Sequence, residues 1–190
     1  MAMAESTKVR ALREAKGLLQ SFGFNGFSFQ HIADLVGIKK PSLYDHFESK
    51  EELGKVLIQD YHHNFTRWTE DCEALEPAAK VAALFELFLK FSKSSGKICP
   101  LSALIADYHS LPKSLKKPLT KMFLFQRQWL KNVIEEGQKK KVFRKDRDAK
   151  DLAELVMSIG LGSQLMARLT EKPEDIQRLK TQALLAITLK

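Results

Sequence analysis

The chain is predicted to be all-α, with about nine helices. Three observations predict this. Apolar residues recur at three- and four-residue steps over most of the length. Capping and stop residues punctuate those runs. No stretch alternates apolar and polar residues for long enough to make a strand. At 190 residues the chain holds one compact domain, or a small domain joined to a larger one. A hydrophobic fraction of 44% with 28% charged residues is ordinary for a soluble globular protein. No apolar run approaches the ~20 residues needed to cross a bilayer. The start, "MAMAESTKVRALREAKGLL", lacks the apolar core of a secretory signal, so a cytoplasmic location is expected.

The elements follow in order. Val9, Leu12, Ala15, Leu19 and Phe22 share a helical stripe that Gly23 stops, and "FGFNGF" is a turn with Asn25-Gly26 at its tip. Ser28 caps a short second helix with Ile32, Ala33, Leu35 and Val36 as its apolar face; Gly37 ends it. After the link Gly37-Ile38-Lys39, a third helix opens at Pro41, where a missing N–H costs nothing, and ends near Phe47. "SKEE", from Ser49 to Glu52, is a capping box for a long helix reaching about residue 72. Pro77 opens a helix carrying Val81, Leu84, Phe85, Phe88 and Leu89, which runs out at "SKSSGK". Helices near 101–110, 113–137, 147–168 and 173–188 complete the count.

Cys72 and Cys99 stand apart, in neither a disulfide framework nor a zinc pattern. His62 and His63 are adjacent and so diverge by ~100° on a helix, poor geometry for one metal. No phosphate-binding glycine loop, catalytic triad order or carboxylate pair stands out; no catalytic residue, metal or cofactor is expected. The formal charge of +8 invites a polyanionic partner, yet it is unevenly placed. Residues 1–54 hold seven basic and seven acidic residues, whereas residues 110–150 hold thirteen basic and four acidic. The run "KKKVFRKDR" reads as a solvated loop between helices, the alternative being a site for an anionic ligand or for non-specific attraction to DNA.

The short helix, tight turn and second short helix form a pattern that inserts one helix into a DNA major groove. Lys39 and Lys40 precede the second of these helices, at an end whose partial positive charge disfavours cations by roughly 0.3–1 kcal/mol each. A phosphate partner resolves the conflict. The Ser42 hydroxyl suits a base edge or a phosphate, and Tyr44 and His46 offer an O–H and an N–H at the rim. Leu43 and Phe47 face inward, and Lys50 adds a cation in the first turn of the next helix.

With those residues in view, "GFNGFSFQHIADLVGIKKPSLYDHFESKEEL" closely resembles the amino-terminal domain of the TetR-type transcriptional regulators. The matching features include Gly23, Gly26, Ser28, Ile32-Ala33, Gly37-Ile38, Leu43-Tyr44, His46-Phe47 and Ser49 to Leu53. The resemblance implies a DNA-binding domain at 1–48 and a ligand-binding and dimerisation domain at 49–190. It implies phosphate contacts from Ser28, Gln30, Tyr44, His46 and Lys50, and a base-facing surface of Lys40, Pro41, Ser42 and Asp45. Two positions depart from the family pattern: His31 replaces the usual acid or other good capping residue, and Asp45 stands where an aromatic or another polar residue is usual. A carboxylate beside phosphates is repelled unless it accepts from a cytosine amino group, so Asp45 either favours a C on one strand or pairs with a nearby Lys and touches no base.

The remaining chain resembles the family in the number and order of its helices. Ala149, Leu152, Val156, Ile159, Ser163 and Met166 make one stripe, with Gly160 and Gly162 permitting close approach. With "IQRLKTQALLAIT" this stripe is expected to form a two-fold, four-helix interface with a second copy. Tyr61, Phe65, Trp68, Phe85, Phe88, Leu104, Tyr108, Met122 and Gln126 are expected to line an effector site, most of the stripe also being core. The resemblance implies that a small, largely apolar effector bound there releases a palindromic operator. Cys99, beside Pro100 and near Lys97, offers a rival input as an oxidant- or electrophile-sensing thiol. An alternative of another class is an all-α enzyme or ligand carrier with a vestigial DNA-binding motif.

Overall fold

The computed structural model describes residues 5–94 and 96–188. They form nine helices: α1 (Thr7–Phe22), α2 (Phe29–Val36), α3 (Pro41–Tyr44), α4 (Lys50–Asp71), α5 (Pro77–Lys93), α6 (Pro100–Ala106), α7 (Lys113–Lys139), α8 (Ala149–Thr170) and α9 (Glu174–Ile187). Among the described residues there is no strand, only an isolated antiparallel bridge between Phe143 and Thr188. No helix among them is long and apolar enough to cross a membrane.

The chain forms two compact units. The first comprises residues 1–63 and 100–121, the second 64–99 and 122–190, so α4 and α7 each contribute to both. In the first unit, α1 packs on α2 and α6. Its core holds Ala11, Ala15, Leu19, Phe24, Ile32, Ala33, Val36, Leu43, Phe47 and Leu53. The apolar stripe read for α1 is rotated in the structure. Ala11, Ala15 and Leu19 face the core, while Val9 and Phe22 are exposed. Leu35 is likewise exposed on α2. Small residues at 11 and 15 let α2 and α6 approach α1, which selects that face over the bulkier one.

Local caps fix the turns of this unit. Ser6 caps α1 by accepting from the Val9 N–H. Gly23 closes α1 at φ +76, a region L side chains seldom adopt. A Cβ there would also meet the Asp107 carboxylate at 2.7 Å. At the other end of α2, the Val36 carbonyl accepts from the Arg10 guanidinium at 2.5 Å, a cation placed at a helix carboxyl end.

In the second unit α5, α8 and α9 pack together around Val81, Leu84, Phe85, Phe88, Ala153, Val156, Ile176 and Ala183. The stripe assigned to a partner copy lies largely within this core. Ala149, Leu152, Val156 and Ser163 are buried by the chain itself, and only Met166 of the six is exposed. Gly160 gives room to Phe88, whose ring would meet a Cβ at 2.6 Å. The apolar side chains left uncovered on α8 and α9 are instead Leu155, Leu165, Met166, Leu169 and Leu185.

Candidate nucleic-acid interface

The segment from Lys39 to Phe47 is built on two anchors. Leu43 and Phe47 are buried at 0% and 2% exposure. Around them Lys39, Lys40, Pro41, Tyr44 and Asp45 are exposed, with Ser42 and His46 half-buried. The helix proper is one turn, with Pro41 at its start, and three-residue bonds close it: Ser42 N–H to Lys39 O at 2.9 Å and Leu43 N–H to Lys40 O at 3.1 Å. One turn carries little aligned dipole, so the electrostatic penalty on Lys39 and Lys40 falls below that of a full helix. Tyr44 leans on Phe29, ring centroids 5.1 Å apart, and is 51% exposed.

The other predicted phosphate contacts are arranged differently. Ser28 accepts the His31 N–H at 3.4 Å, and His31 Nδ1 accepts the Ser28 N–H at 3.3 Å. This is a complete capping box with a histidine in the acid's place: the imidazole's unprotonated nitrogen supplies the acceptor that a carboxylate ordinarily would. Gln30 donates to Asp34 at 2.7 Å. Lys50 does not simply project into solvent. Its ammonium donates to the Phe27 carbonyl at 2.5 Å and sits 4.8 and 4.7 Å from the Phe24 and Phe27 ring centres. Burial pushes its pKa below the ordinary lysine value, partly offset by the Asp107 charge. A groove of about 260 Å³ lies here, lined by Ser28, Lys40, Tyr44, Ser49 and Lys50 with Phe27, Phe29 and Glu48. It offers cationic and hydroxyl donors of the kind phosphate oxygens accept from.

One residue of this unit was missed in the sequence. The Asp107 carboxylate, past the end of α6, accepts the Phe24 N–H at 2.6 Å and the Asn25 N–H at 3.2 Å. Asn25 in turn donates to Ser110 Oγ at 2.7 Å. The turn that leads into α2 is therefore fastened to the α6–α7 connection, 83 residues away.

Of the residues expected at an effector site, Tyr61 and Leu104 are buried in the first unit, and Tyr108 there is exposed beneath Lys116, whose Nζ lies 5.0 Å from its ring centre. Phe65, Phe85, Phe88, Cys99, Met122 and Gln126 are buried in the second, with Trp68 half-buried. Phe65 and Trp68 join Phe125 and Trp129 in an aromatic cluster, with centroids 5.2–6.2 Å apart. Trp129 escaped the sequence reading although it lies one turn beyond Phe125. Gln126 is 5% exposed, and its Nε2 has no hydrogen-bond partner among the described residues. Cys99 is fully enclosed; its N–H donates to Gln164 Oε1 at 2.7 Å, and Gln164 Nε2 approaches its Sγ at 3.8 Å. A thiol so placed lacks the access that oxidant sensing requires.

Residues 77–183 match the family model described as "Tetracyclin repressor-like, C-terminal domain", and residues 11–55 match "Bacterial regulatory proteins, tetR family". The chain belongs to the TetR family. It is a ligand-responsive, DNA-binding transcriptional regulator. Over 165 residues it is 25% identical to the "HTH-type transcriptional repressor DhaR" of Mycobacterium sp. (strain GP1), spanning 84% of this chain and 81% of that one. A solved TetR transcriptional regulator from Legionella pneumophila superposes with a TM-score of 0.89 at 29% identity, over 99% of this chain and 100% of that one. A TetR-family regulator from Agrobacterium tumefaciens gives 0.91 at 23% identity, over 96% and 98% of the two chains.

Proposed function

We propose that this TetR-family regulator is a cytoplasmic homodimeric repressor that binds a palindromic operator and releases it when a small, largely apolar molecule binds the carboxyl-terminal part. It works by binding, without turnover. Residues 1–48 are the operator-reading domain, and residues 49–190 carry effector binding and dimerisation. The single observation behind this reading is the exposed, proline-led turn bearing Lys39, Lys40 and Tyr44 on the buried anchors Leu43 and Phe47. Lys40, Pro41, Ser42 and Asp45 face bases. Ser28, Gln30, Lys39, Tyr44 and His46 meet phosphates, and Lys50 braces the groove wall while remaining within reach of one. The likeness to a named repressor supports repression as the mode of action.

Two copies place two reading helices about 34–36 Å apart, one turn of DNA. The uncovered leucines of α8 and α9 supply the surface for that pairing. The effector site draws on Phe65, Trp68, Phe85, Phe88, Met122 and Gln126. The Gln126 amide gives it a buried donor for a carbonyl or carboxylate oxygen on an otherwise apolar molecule.

The test is a mobility shift on the DNA upstream of the protein's own gene. Wild type is expected to retard this duplex specifically, and Lys40→Ala and Tyr44→Ala each to weaken it by tenfold or more, about 1.4 kcal/mol. Equal binding by wild type and both variants would refute the assignment of the interface.

A further inference from the structure

A duplex carries one phosphate charge per ~1.7 Å of axis, and binding it draws on cations that neutralise those charges. The reading domain is short of them. Residues 1–54, the reading domain together with the first turn of α4, have no net charge, and several of their cations are engaged within the fold. Arg10 is bonded to Val36 O, Arg13 is paired with Glu5 and Glu14, Lys16 with Asp60, and Lys50 is bonded to Phe27 O.

The same compact unit has a second source of charge. Residues 100–121 carry Lys113, Lys116, Lys117 and Lys121 against one acid, Asp107, whose carboxylate is already engaged by backbone N–H groups. Lys113, Lys117 and Lys121 recur every fourth residue on α7, which puts them on one side of it. All three are exposed, and none has an ion pair among the described residues.

This stretch is held against the ends of α2 and α4. Asp107 and Ser110 bind the Phe24–Asn25 turn, three residues ahead of the Ser28 cap. Ser114 Oγ donates to Glu51 in the first turn of α4, beside Lys50. Leu115 fits against Gly54, where a Cβ would lie 2.8 Å from its Cδ1. The start of α7 is thus fixed next to the two helix ends assigned to the DNA backbone.

We propose that Lys113 and Lys117 form an auxiliary edge that contacts the phosphates of duplex DNA flanking the sequence read by α3. The edge carries no sequence preference; it adds the electrostatic affinity that the reading domain lacks. Lys121 lies ~12 Å farther along the helix than Lys113 and marks its limit. The inference rests on the DNA-binding reading, and its test separates the two.

The full-length protein is titrated with a duplex spanning the DNA upstream of its own gene, across a salt series. Three variants are compared with wild type: Lys113→Gln/Lys117→Gln, Lys40→Gln, and Lys141→Gln/Lys145→Gln in the other unit. The first is expected to weaken binding severalfold at low salt and to lower the slope of log K against log salt by about one for each phosphate no longer neutralised. Trimming the flanks of the duplex should erase that difference. The Lys141/Lys145 variant should keep the wild-type slope. A wild-type slope in Lys113→Gln/Lys117→Gln, with Lys40→Gln impaired, overturns the flanking edge and leaves the reading domain standing. An equal loss in both double variants overturns it as well. Failure of wild type to bind any duplex removes both.

Discussion

The Asp107 carboxylate and the Phe24 backbone N–H, 83 positions apart in sequence, are joined at 2.6 Å in a half-buried position. The bond ties the turn before α2 to the end of α6, and Gly23 leaves the space for it. Asp107→Ala strands that N–H and its neighbour on Asn25. One of these donors is half-buried and the other exposed, so the loss is that of ordinary hydrogen bonds, about 0.5–1.5 kcal/mol each, and the melting temperature should fall by about 2–4 °C for each kcal/mol of destabilisation. Asp107→Asn keeps an acceptor oxygen and should lose less. Thermal melts of both variants decide it: equal loss would show that the acceptor is not what matters.

Lys50 predicts a pH dependence. Its pKa lies below the ordinary lysine value, with burial as the main cause. Below the folded value both states are charged, and the penalty of burying the ammonium is fully present. Between the folded value and the ordinary one of about 10.4, the unfolded chain binds more protons, so stability rises with pH. Lys50→Met keeps the stem over Phe24 and Phe27 and lacks the titration. Wild-type stability should therefore gain on the variant as pH climbs through that interval. A constant difference between the two melting curves would remove the assignment.

How legible all this was depends on distance along the chain. Ser28, Gly37, Pro41 and Ser49 announce caps and turns through chemistry that acts within four residues, and the structure places helix ends at each. The reading turn was legible for the same reason. Asp107 was not, because its partners lie far off in sequence. Nor was the Lys80–Glu136 ion pair at 2.7 Å, in which the two groups are 56 positions apart and Lys80 is 9% exposed. The helical stripe on α8 was correctly periodic yet misassigned. Periodicity identifies an apolar face but not whether this chain or another covers it.

Gln126 carries a cost that its removal should reveal. Its Nε2 is buried without a partner among the described residues, at roughly 1–3 kcal/mol. Gln126→Met preserves the volume and removes the donor. The effector-free variant is expected to melt several degrees above wild type while its response to effector weakens. A lower melting temperature would mean that the amide is satisfied, and would end its role as an effector contact.

The uncovered apolar side chains of α8 and α9 predict where dimer formation fails. Leu169 is 86% exposed, and Leu165 lies one turn before it, so replacing both with Glu disturbs little within the chain. Helix content by circular dichroism should stay at the wild-type level. Sedimentation should report single chains for the variant and pairs for wild type. Operator affinity should then fall by about 10²–10⁴, the gain that two linked sites provide. A paired variant with wild-type affinity would move the interface elsewhere.

Asp45 closes the reading turn at its carboxyl end, exposed beside Tyr44 and His46. A carboxylate there is repelled by phosphates, and its usual productive contact with a base edge is a bond from a cytosine amino group. Two opposite effects should therefore follow from Asp45→Ala. On random-sequence duplex the variant should bind more tightly, because a like charge is gone. On the selected operator it should lose discrimination at one base pair, by about 1 kcal/mol or fivefold, at the low end for a direct base contact. Sequence selection with both proteins measures each effect. If the preferred sites coincide at every position while random-duplex binding strengthens, Asp45 acts only as a charge that weakens non-specific binding.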